Sequence, residues 1–213
     1  CLAPKLAQAD LVYNAFYQSV KLDEELSSEE MTKKRKNDIY VIPMNTTISK
    51  VAFNCKKADG FNPHLTVCDE LAAWPGQAGL KQYEVMKSAL GSRKQPLILS
   101  ITTAGYINDG IYDELFKRST RFLKGKLGVG EMRLLPFLYV IDDIQKWDDI
   151  NELKKSNPNL GISVSESYYL EEIVVAKNST SKKAEFMCKY CNILQSSSIA
   201  WLAYEDVALP GGE

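Results

Sequence analysis

The sequence predicts an α/β fold with a mostly parallel sheet, followed by a helical region. Helical and strand-like segments alternate along the first 130 residues, as they do in parallel sheets with crossover helices. After a glycine-rich break at residues 125–130, most of the chain has helical patterning. The 213 residues, 45% of them hydrophobic, are enough to bury a sizeable core. We therefore expect one large domain, or one domain with an appendage.

The alternation in the first part rests on three helical and four strand-like segments. Apolar residues at helical spacing, and short β-rich runs between turn residues, identify them. The run at 97–103 is apolar on both faces, which is typical of a central strand in a covered parallel sheet. The charged stretch 21–37 contains the i,i+4 pairs Glu29–Lys33 and Glu30–Lys34, which favour a partly helical conformation. The predicted helices are 5–20, 76–90 and 109–124, and the predicted strands are 38–44, 48–55, 65–68 and 97–103.

The second part is predicted to contain one strand and three helices. The strand is the apolar segment 134–141, and the helices are 148–156, 165–178 and 180–194. Ser163 or Ser165 is expected to cap the second helix and Thr180 the third, because serine and threonine favour N-cap positions. These patterns divide the chain into a core at 1–130, a helical region at 131–200 and a tail at 201–213.

Charge and cysteine content exclude several classes of protein. Lys plus Arg number 26 and Asp plus Glu number 27, so the chain is not polybasic, although a nucleic-acid motor can concentrate its cations in one channel. The sequence has no apolar run long enough to span a membrane and no visible signal peptide. Five scattered cysteines favour reduced thiols in a cytoplasmic setting. Because the chain opens at Cys1 without a methionine, we expect a fragment of a longer protein.

The acid pair Asp69–Glu70 is the most informative chemical feature. It ends the short apolar run 65–68, and the carboxyl ends of parallel strands form the edge where open α/β sheets bind ligands. A strand ending in Asp-Glu is typical of a Walker B segment, in which the first carboxylate supports Mg²⁺ and the second accepts a proton from water. The alternative is a helix N-terminus stabilised by two acids.

A second polar strand end supports the first interpretation. The next apolar strand runs into Ser100-Ile101-Thr102-Thr103-Ala104-Gly105. In RecA-like ATPases the strand that follows Walker B ends in a small polar sensor, where hydroxyl and backbone N–H groups detect the γ-phosphate. The alternative is a strand-to-helix turn in which threonine and glycine only satisfy the turn geometry.

The remaining polar candidates favour structural interpretations. The basic run Lys33–Lys36 suits either contact with a phosphate backbone or, as we favour, a solvated loop. His64, the only histidine, cannot build a multi-histidine metal site, and Cys188–Cys191 lacks a second ligand pair. The acids Asp142–Asp143 and Asp148–Asp149 fit exposed loops and a helix N-terminus better than a metal cluster.

Several motifs together resemble the ATPase domain of phage terminase large subunits. They occur in one collinear order and cover nearly the whole chain: Ala3-Pro4-Lys5, the turn 59–63, Asp69–Glu70 with Trp74, the segment 95–106, Trp147, the segments 155–161 and 176–179, Asn192 and Trp201. The resemblance implies a RecA-like P-loop NTPase core at 1–130 without its P-loop strand. It further implies a helical lid or linker at 131–200 and a tail at 201–213 that leads to an absent nuclease domain.

The resemblance also implies site residues, ligands and partners. Asp69 would support Mg²⁺, Glu70 would polarise the water that attacks ATP, and Ser100, Thr102 and Thr103 would couple phosphate loss to movement. The whole protein would drive double-stranded DNA into a procapsid as a homo-oligomeric ring, together with a portal protein and a small terminase subunit. No membrane is involved, and the setting would be the cytoplasm of a bacterial host that carries the phage or prophage.

The sequence departs from the family pattern at two points. No Gly-x-x-x-x-Gly-Lys-Ser/Thr string occurs in the 213 residues, so the chain alone is expected to be inactive. After Asp69–Glu70 the sequence continues Leu-Ala-Ala-Trp, where many relatives have Ala-His. Two alternatives stay open, namely another RecA-like nucleic-acid ATPase such as a helicase and a non-catalytic interaction module with the same fold.

Overall fold

A computed structural model describes residues 1–52, 61–107, 109–126, 128 and 133–196. The chain forms two compact units, one made of Cys1–Thr102 with Gly110–Tyr112 and the other of Thr103–Asp109 with Asp113–Glu213. None of the helices in the described segments combines the length and the hydropathy that a membrane crossing requires.

The described part of the first unit contains seven strands and two α-helices. Its strands are β1 Leu2–Ala3, β2 Thr32–Lys34, β3 Asp38–Val41, β4 Thr46–Ser49, β5 Val51–Ala52, β6 Leu65–Asp69 and β7 Leu97–Ile101. Its helices are α1 Leu6–Leu22 and α2 Gly76–Ala89.

Four of the strands form a parallel sheet in the order β5-β1-β6-β7. Helix α1 packs against β1, β5 and β6. Helix α1 lies between β1 and β5 along the chain, and α2 lies between β6 and β7, as is usual for crossover connections. The predicted α/β class with a mostly parallel sheet is therefore confirmed. Among the described strands, β7 is at the edge of this sheet, which corrects the prediction that it is central.

The side chains of β7 are more exposed than those of a central, covered strand would be. Leu97, Leu99 and Ile101, which lie on one face of the strand, are each about half exposed. No described strand pairs with the outer side of β7. Apolar residues on both faces of a strand predict that other elements cover both faces of the sheet there. They do not specify which strands pair with it inside the sheet, because pairing depends on distant parts of the chain.

Strands β2, β3 and β4 form a separate antiparallel sheet that contacts α1. Ile39 from β3 is completely buried with Tyr13 and Val20 of α1. The predicted single strand 48–55 is corrected here: the chain leaves this sheet after Ser49 and enters the parallel sheet at Val51, while residues 53–60 lie outside the described residues. Lys50, between the two sheets, is fixed by an ion pair of 2.6 Å with Asp10 of α1.

The charged stretch 21–37 is not helical beyond the end of α1, contrary to the expectation for its second half. Turns lead from α1 into β2, where Lys33 pairs with Tyr40 of β3. The buried Thr32 donates its hydroxyl to the carbonyl of Leu26 at 2.6 Å, which ties the turn to the strand. A weak i,i+4 ion pair stabilises a helix by only about 0.2–0.5 kcal/mol, so the strand pairing prevails.

The second unit is mainly helical. Helix α3 covers Ile111–Leu123, its first two residues belonging to the first unit, and it is followed by α4 Ile150–Ser156, α5 Glu166–Lys177 and α6 Thr180–Lys189. Its core includes Leu153, Tyr169, Ile173, Phe186 and Cys191. The three predicted helices after residue 148 are confirmed, although the last ends at Lys189 rather than at residue 194.

Two details of the second unit correct the predictions. Ser165 caps α5 as expected, but α6 is capped by Ser179, whose hydroxyl accepts from the backbone N–H of Lys182, rather than by Thr180. The predicted strand 134–141 has no regular secondary structure and makes no strand ladder in the described part of the chain. Leu135 and Phe137 are more than two-thirds exposed there. A strand needs a hydrogen-bonding neighbour as well as a suitable composition, which explains the difference.

Candidate active site

The acid pair and the polar end of β7 lie side by side at one edge of the parallel sheet. In the register of β6 and β7, Cys68 is opposite Ser100 and Asp69 is opposite Ile101. Glu70 and Thr102 follow directly on the two chains, at the carboxyl ends of the strands. The two polar strand ends identified in the sequence therefore meet at a common edge of the sheet.

Glu70 occupies an uncommon backbone conformation. Its φ is 51° and its ψ 45°, which places it in the left-handed region, and a single 3₁₀ turn at Leu71–Ala73 follows. The backbone N–H of Glu70 donates to Oδ1 of Asp69 at 3.0 Å. One oxygen of the Asp69 carboxylate is therefore oriented by the backbone of the next residue.

Two further hydrogen bonds hold this turn. The backbone N–H of Ala72 donates to Oγ1 of Thr102 at 3.0 Å, which links the turn after β6 to the end of β7. The indole Nε1 of Trp74 donates to the backbone carbonyl of Asp69 at 3.0 Å. Trp74 is almost completely buried, with 1% of its surface exposed. The acid pair thus has a fixed backbone.

The two carboxylates differ from their neighbour Cys68 in their access to water. Asp69 and Glu70 are half-buried, whereas Cys68 is completely buried, and burial raises the pKa of its thiol to about 12. The thiol is therefore neutral at physiological pH and is a packing group.

Among the described residues, no three His, Cys, Asp or Glu side chains are grouped as a metal site. One or two carboxylates suit Mg²⁺ that is held jointly with nucleotide phosphates and water, so the residues fit that ion.

The structure also gives the positions of the other polar candidates. Ser100 is in β7 with its side chain exposed, and the exposed Thr103 is the first residue of the second unit. The basic residues Lys33 and Lys34 belong to β2. His64 precedes β6 and is exposed, as expected at the entrance of a strand.

The cysteine and aspartate pairs have structural roles, as favoured from the sequence. Cys188 is buried and donates its thiol to the carbonyl of Gly105, and Cys191 belongs to the helical core. Asp149 caps α4 by accepting from the backbone N–H of Asn151 at 2.7 Å. Trp201, part of the resemblance, lies outside the described residues.

The role of Trp74 was not evident from the sequence. The tryptophan was identified there only as part of the motif that follows the acid pair. The available signal was a large amphipathic side chain four residues beyond Glu70. Tryptophan usually finds an acceptor for its N–H when it is buried, but the identity of that acceptor depends on the fold of the turn.

The four parallel strands, with polar residues at the carboxyl ends of β6 and β7, define an open α/β fold with a candidate ligand site at that edge. The chain belongs to the family of terminase large subunit ATPase domains, since the family described as "Terminase large subunit, ATPase domain" matches residues 1–121, more than half of its length. The resemblance seen in the sequence and the RecA-like fold it implied are therefore confirmed.

Two known proteins illustrate this relationship. The structure described as "Crystal structure of the HK97 bacteriophage large terminase" superimposes with a TM-score of 0.74 at 18% identity, over 91% of this chain and 39% of that one. Protein YmfN of Escherichia coli (strain K12) is 32% identical over 160 residues, which are 72% of this chain and 34% of YmfN. The chain thus spans about a third of YmfN and two-fifths of the HK97 protein.

Proposed function

We propose that this chain is part of the ATPase motor of a terminase large subunit, which couples ATP hydrolysis to the movement of double-stranded DNA into a procapsid. The observation that carries the proposal is the position of Asp69–Glu70 beside Thr102 at the carboxyl edge of a parallel sheet. Ligands of open α/β sheets bind at this edge. Membership of the terminase ATPase family supports it.

The site residues take distinct roles in this proposal. Asp69 holds Mg²⁺ together with the nucleotide phosphates, and the ion offsets the negative charge of their oxygens. Glu70 accepts the proton of the attacking water as general base. Thr102 bonds the turn that carries Glu70, so it is placed to relay phosphate loss, and Ser100 and Thr103 complete the polar strand end.

The wider assembly belongs to the same proposal. Residues 1–130 form the ATPase core, 131–200 act as a lid or linker, and 201–213 lead towards a nuclease domain. The partners are double-stranded DNA, a portal protein, a small terminase subunit and further copies in a ring, in the cytoplasm of a bacterial host. The fold and the family support this assignment.

The direct test is Glu70→Gln in the full-length protein that contains this chain. The amide cannot accept a proton, so steady-state ATP turnover should fall by about 10²–10⁴-fold, while binding of Mg-ATP is largely retained. Glu84→Gln, the same chemical change at an exposed position of α2, is the matched control and should leave turnover unchanged. Turnover of Glu70→Gln within about threefold of wild type would remove Glu70 from the role of general base.

A further inference from the structure

We propose that Trp74 is a positioning residue, which holds the turn after β6 so that the Glu70 carboxylate is correctly aimed. This inference rests on the proposed function of Glu70. It adds a residue that does not touch the nucleotide and acts through the backbone of Asp69.

The turn requires a restraint because of the conformation of Glu70. A non-glycine residue with φ near +50° has a backbone that is unfavourable by about 1–2 kcal/mol. Such conformations persist only where the surrounding structure fixes them. A glutamate gains nothing locally from this region, unlike asparagine or aspartate, whose short side chains bond the nearby backbone. The restraint must therefore come from the groups around the turn.

Trp74 supplies that restraint from inside the first unit. Its indole N–H donates to the carbonyl of Asp69, the peptide group that immediately precedes Glu70. The ring itself is immobilised by burial, with 1% of its surface exposed. Thr102 bonds the far side of the same turn through the N–H of Ala72. The peptide between Asp69 and Glu70 is thus fixed by a rigid side chain.

Gly79 shows how closely the backbone and Cβ of Trp74 pack against α2. A Cβ atom at this position of α2 would lie 2.9 Å from the Cβ of Trp74 and 3.3 Å from its backbone carbonyl carbon. A side chain at residue 79 therefore displaces the tryptophan or the helix. Gly79 gives a second way to disturb the position of Trp74, and this change leaves the indole N–H in place.

Displacement of this turn should affect catalysis more than binding. A general base must lie within hydrogen-bond reach of its proton, and a misplacement of about 1 Å can reduce a rate by about 10²-fold. We therefore expect Trp74→Phe to lower kcat for ATP by about 10- to 100-fold, with a much smaller change in KM. Phenylalanine keeps most of the ring volume and removes the N–H group.

The experiment uses the full-length protein and a matched control. Tyr13→Phe removes a comparable bond, from a buried hydroxyl to the backbone carbonyl of Arg35, in the same unit but far along the chain from the site. Both variants should lower the melting temperature, but only Trp74→Phe should lower kcat. Gly79→Ala should reproduce the kcat defect, and it serves as the second variant if Trp74→Phe does not fold.

A double variant separates a positioning role from a general loss of structure. If Trp74 acts through Glu70, then adding Trp74→Phe to Glu70→Gln should cause no further loss of residual turnover. The inference is overturned if Glu70→Gln abolishes turnover while Trp74→Phe and Gly79→Ala retain kcat within threefold of wild type. Equal losses from Trp74→Phe in both backgrounds would also overturn it. Failure of Glu70→Gln itself to reduce turnover would instead refute the proposed function.

Discussion

At the scale of single residues, the backbone conformation of Glu70 distinguishes the acid pair from the rest of the described chain. Four non-glycine residues there have positive φ, namely Asn45, Glu70, Asp109 and Asn192. Three of them are asparagine or aspartate, which tolerate this region. Glu70 alone contradicts its local preference, and such conflicts are concentrated at functional sites. The strain at Glu70 therefore supports its assignment independently of the family.

This strain predicts how substitutions at residue 70 affect stability. Glycine adopts positive φ without the Cβ penalty, whereas alanine retains it. Glu70→Gly should therefore be more stable than Glu70→Ala by about 1 kcal/mol, although both lack the carboxylate that we propose as general base. Urea unfolding of the two variants would measure the difference. A glycine variant less stable than the alanine variant would contradict the left-handed conformation.

A second residue-scale prediction concerns Thr66 in β6. Its side chain is buried, and its hydroxyl oxygen has no hydrogen-bond partner among the described residues. Burying an unpaired hydroxyl costs about 1–3 kcal/mol, so Thr66→Val should stabilise the protein by about 1 kcal/mol. The matched control is Thr32→Val, which removes the bond to Leu26 and should be destabilising. Chemical denaturation that gave the opposite order would show that the Thr66 hydroxyl has a partner in solution.

At the scale of elements, Glu152 fastens the loop before α4 to the helix. Its carboxylate accepts from the backbone N–H groups of Asp142 and Asp143 and pairs with Lys155 at 2.8 Å. The Lys155 hydrogen bond first, and then the backbone N–H of Asp143, hold the pKa of this carboxyl at about 2. This role was not predicted, because the sequence pattern indicated only that the neighbouring aspartates are exposed acids.

The depressed pKa predicts a pH dependence of stability. A carboxyl with a lower pKa in the folded than in the unfolded protein stabilises above its unfolded pKa, near 4.5, and this contribution is lost as pH falls towards 2. Glu152→Gln should therefore destabilise the protein at pH 7 but have a smaller effect at pH 3. Glu166→Gln, an exposed acid paired with Lys154, is the control. The midpoints of urea unfolding at the two pH values test this prediction. If Glu152→Gln lowered the midpoint equally at both pH values, the ionised Glu152 carboxylate would not be the source of the pH dependence.

Elements were predictable from the sequence to different degrees. Helices such as α1 and α2 follow from local periodicity, and the meeting of Asp69 with Thr102 follows from the general geometry of parallel strands. Two features of the described residues were not predictable, because strand pairing depends on distant segments: the position of β7 at the end of the sheet and the absence of a strand ladder at 134–141. The bond from Trp74 to Asp69 was equally hidden, since it depends on the conformation of one turn.

At the scale of the whole molecule, the proposed function makes the acid pair only one side of a nucleotide site. P-loop enzymes make most of their phosphate contacts through the backbone and lysine of a glycine-rich loop. The sequence of 213 residues contains no such string. The chain matches the ATPase family and spans about two-fifths of the HK97 terminase, so the proposed activity concerns a protein larger than this chain.

This composition of the site predicts that the 213-residue chain alone binds Mg-ATP weakly and hydrolyses it negligibly. Two adjacent carboxylates repel a triphosphate when no lysine or cradle of N–H groups compensates their charge. Calorimetric titration with Mg-ATP should give no dissociation constant in the low micromolar range, whereas the full-length protein serves as the binding control. Tight binding by the chain alone, or turnover in it that Glu70→Gln abolishes, would show that the phosphate site lies within these residues.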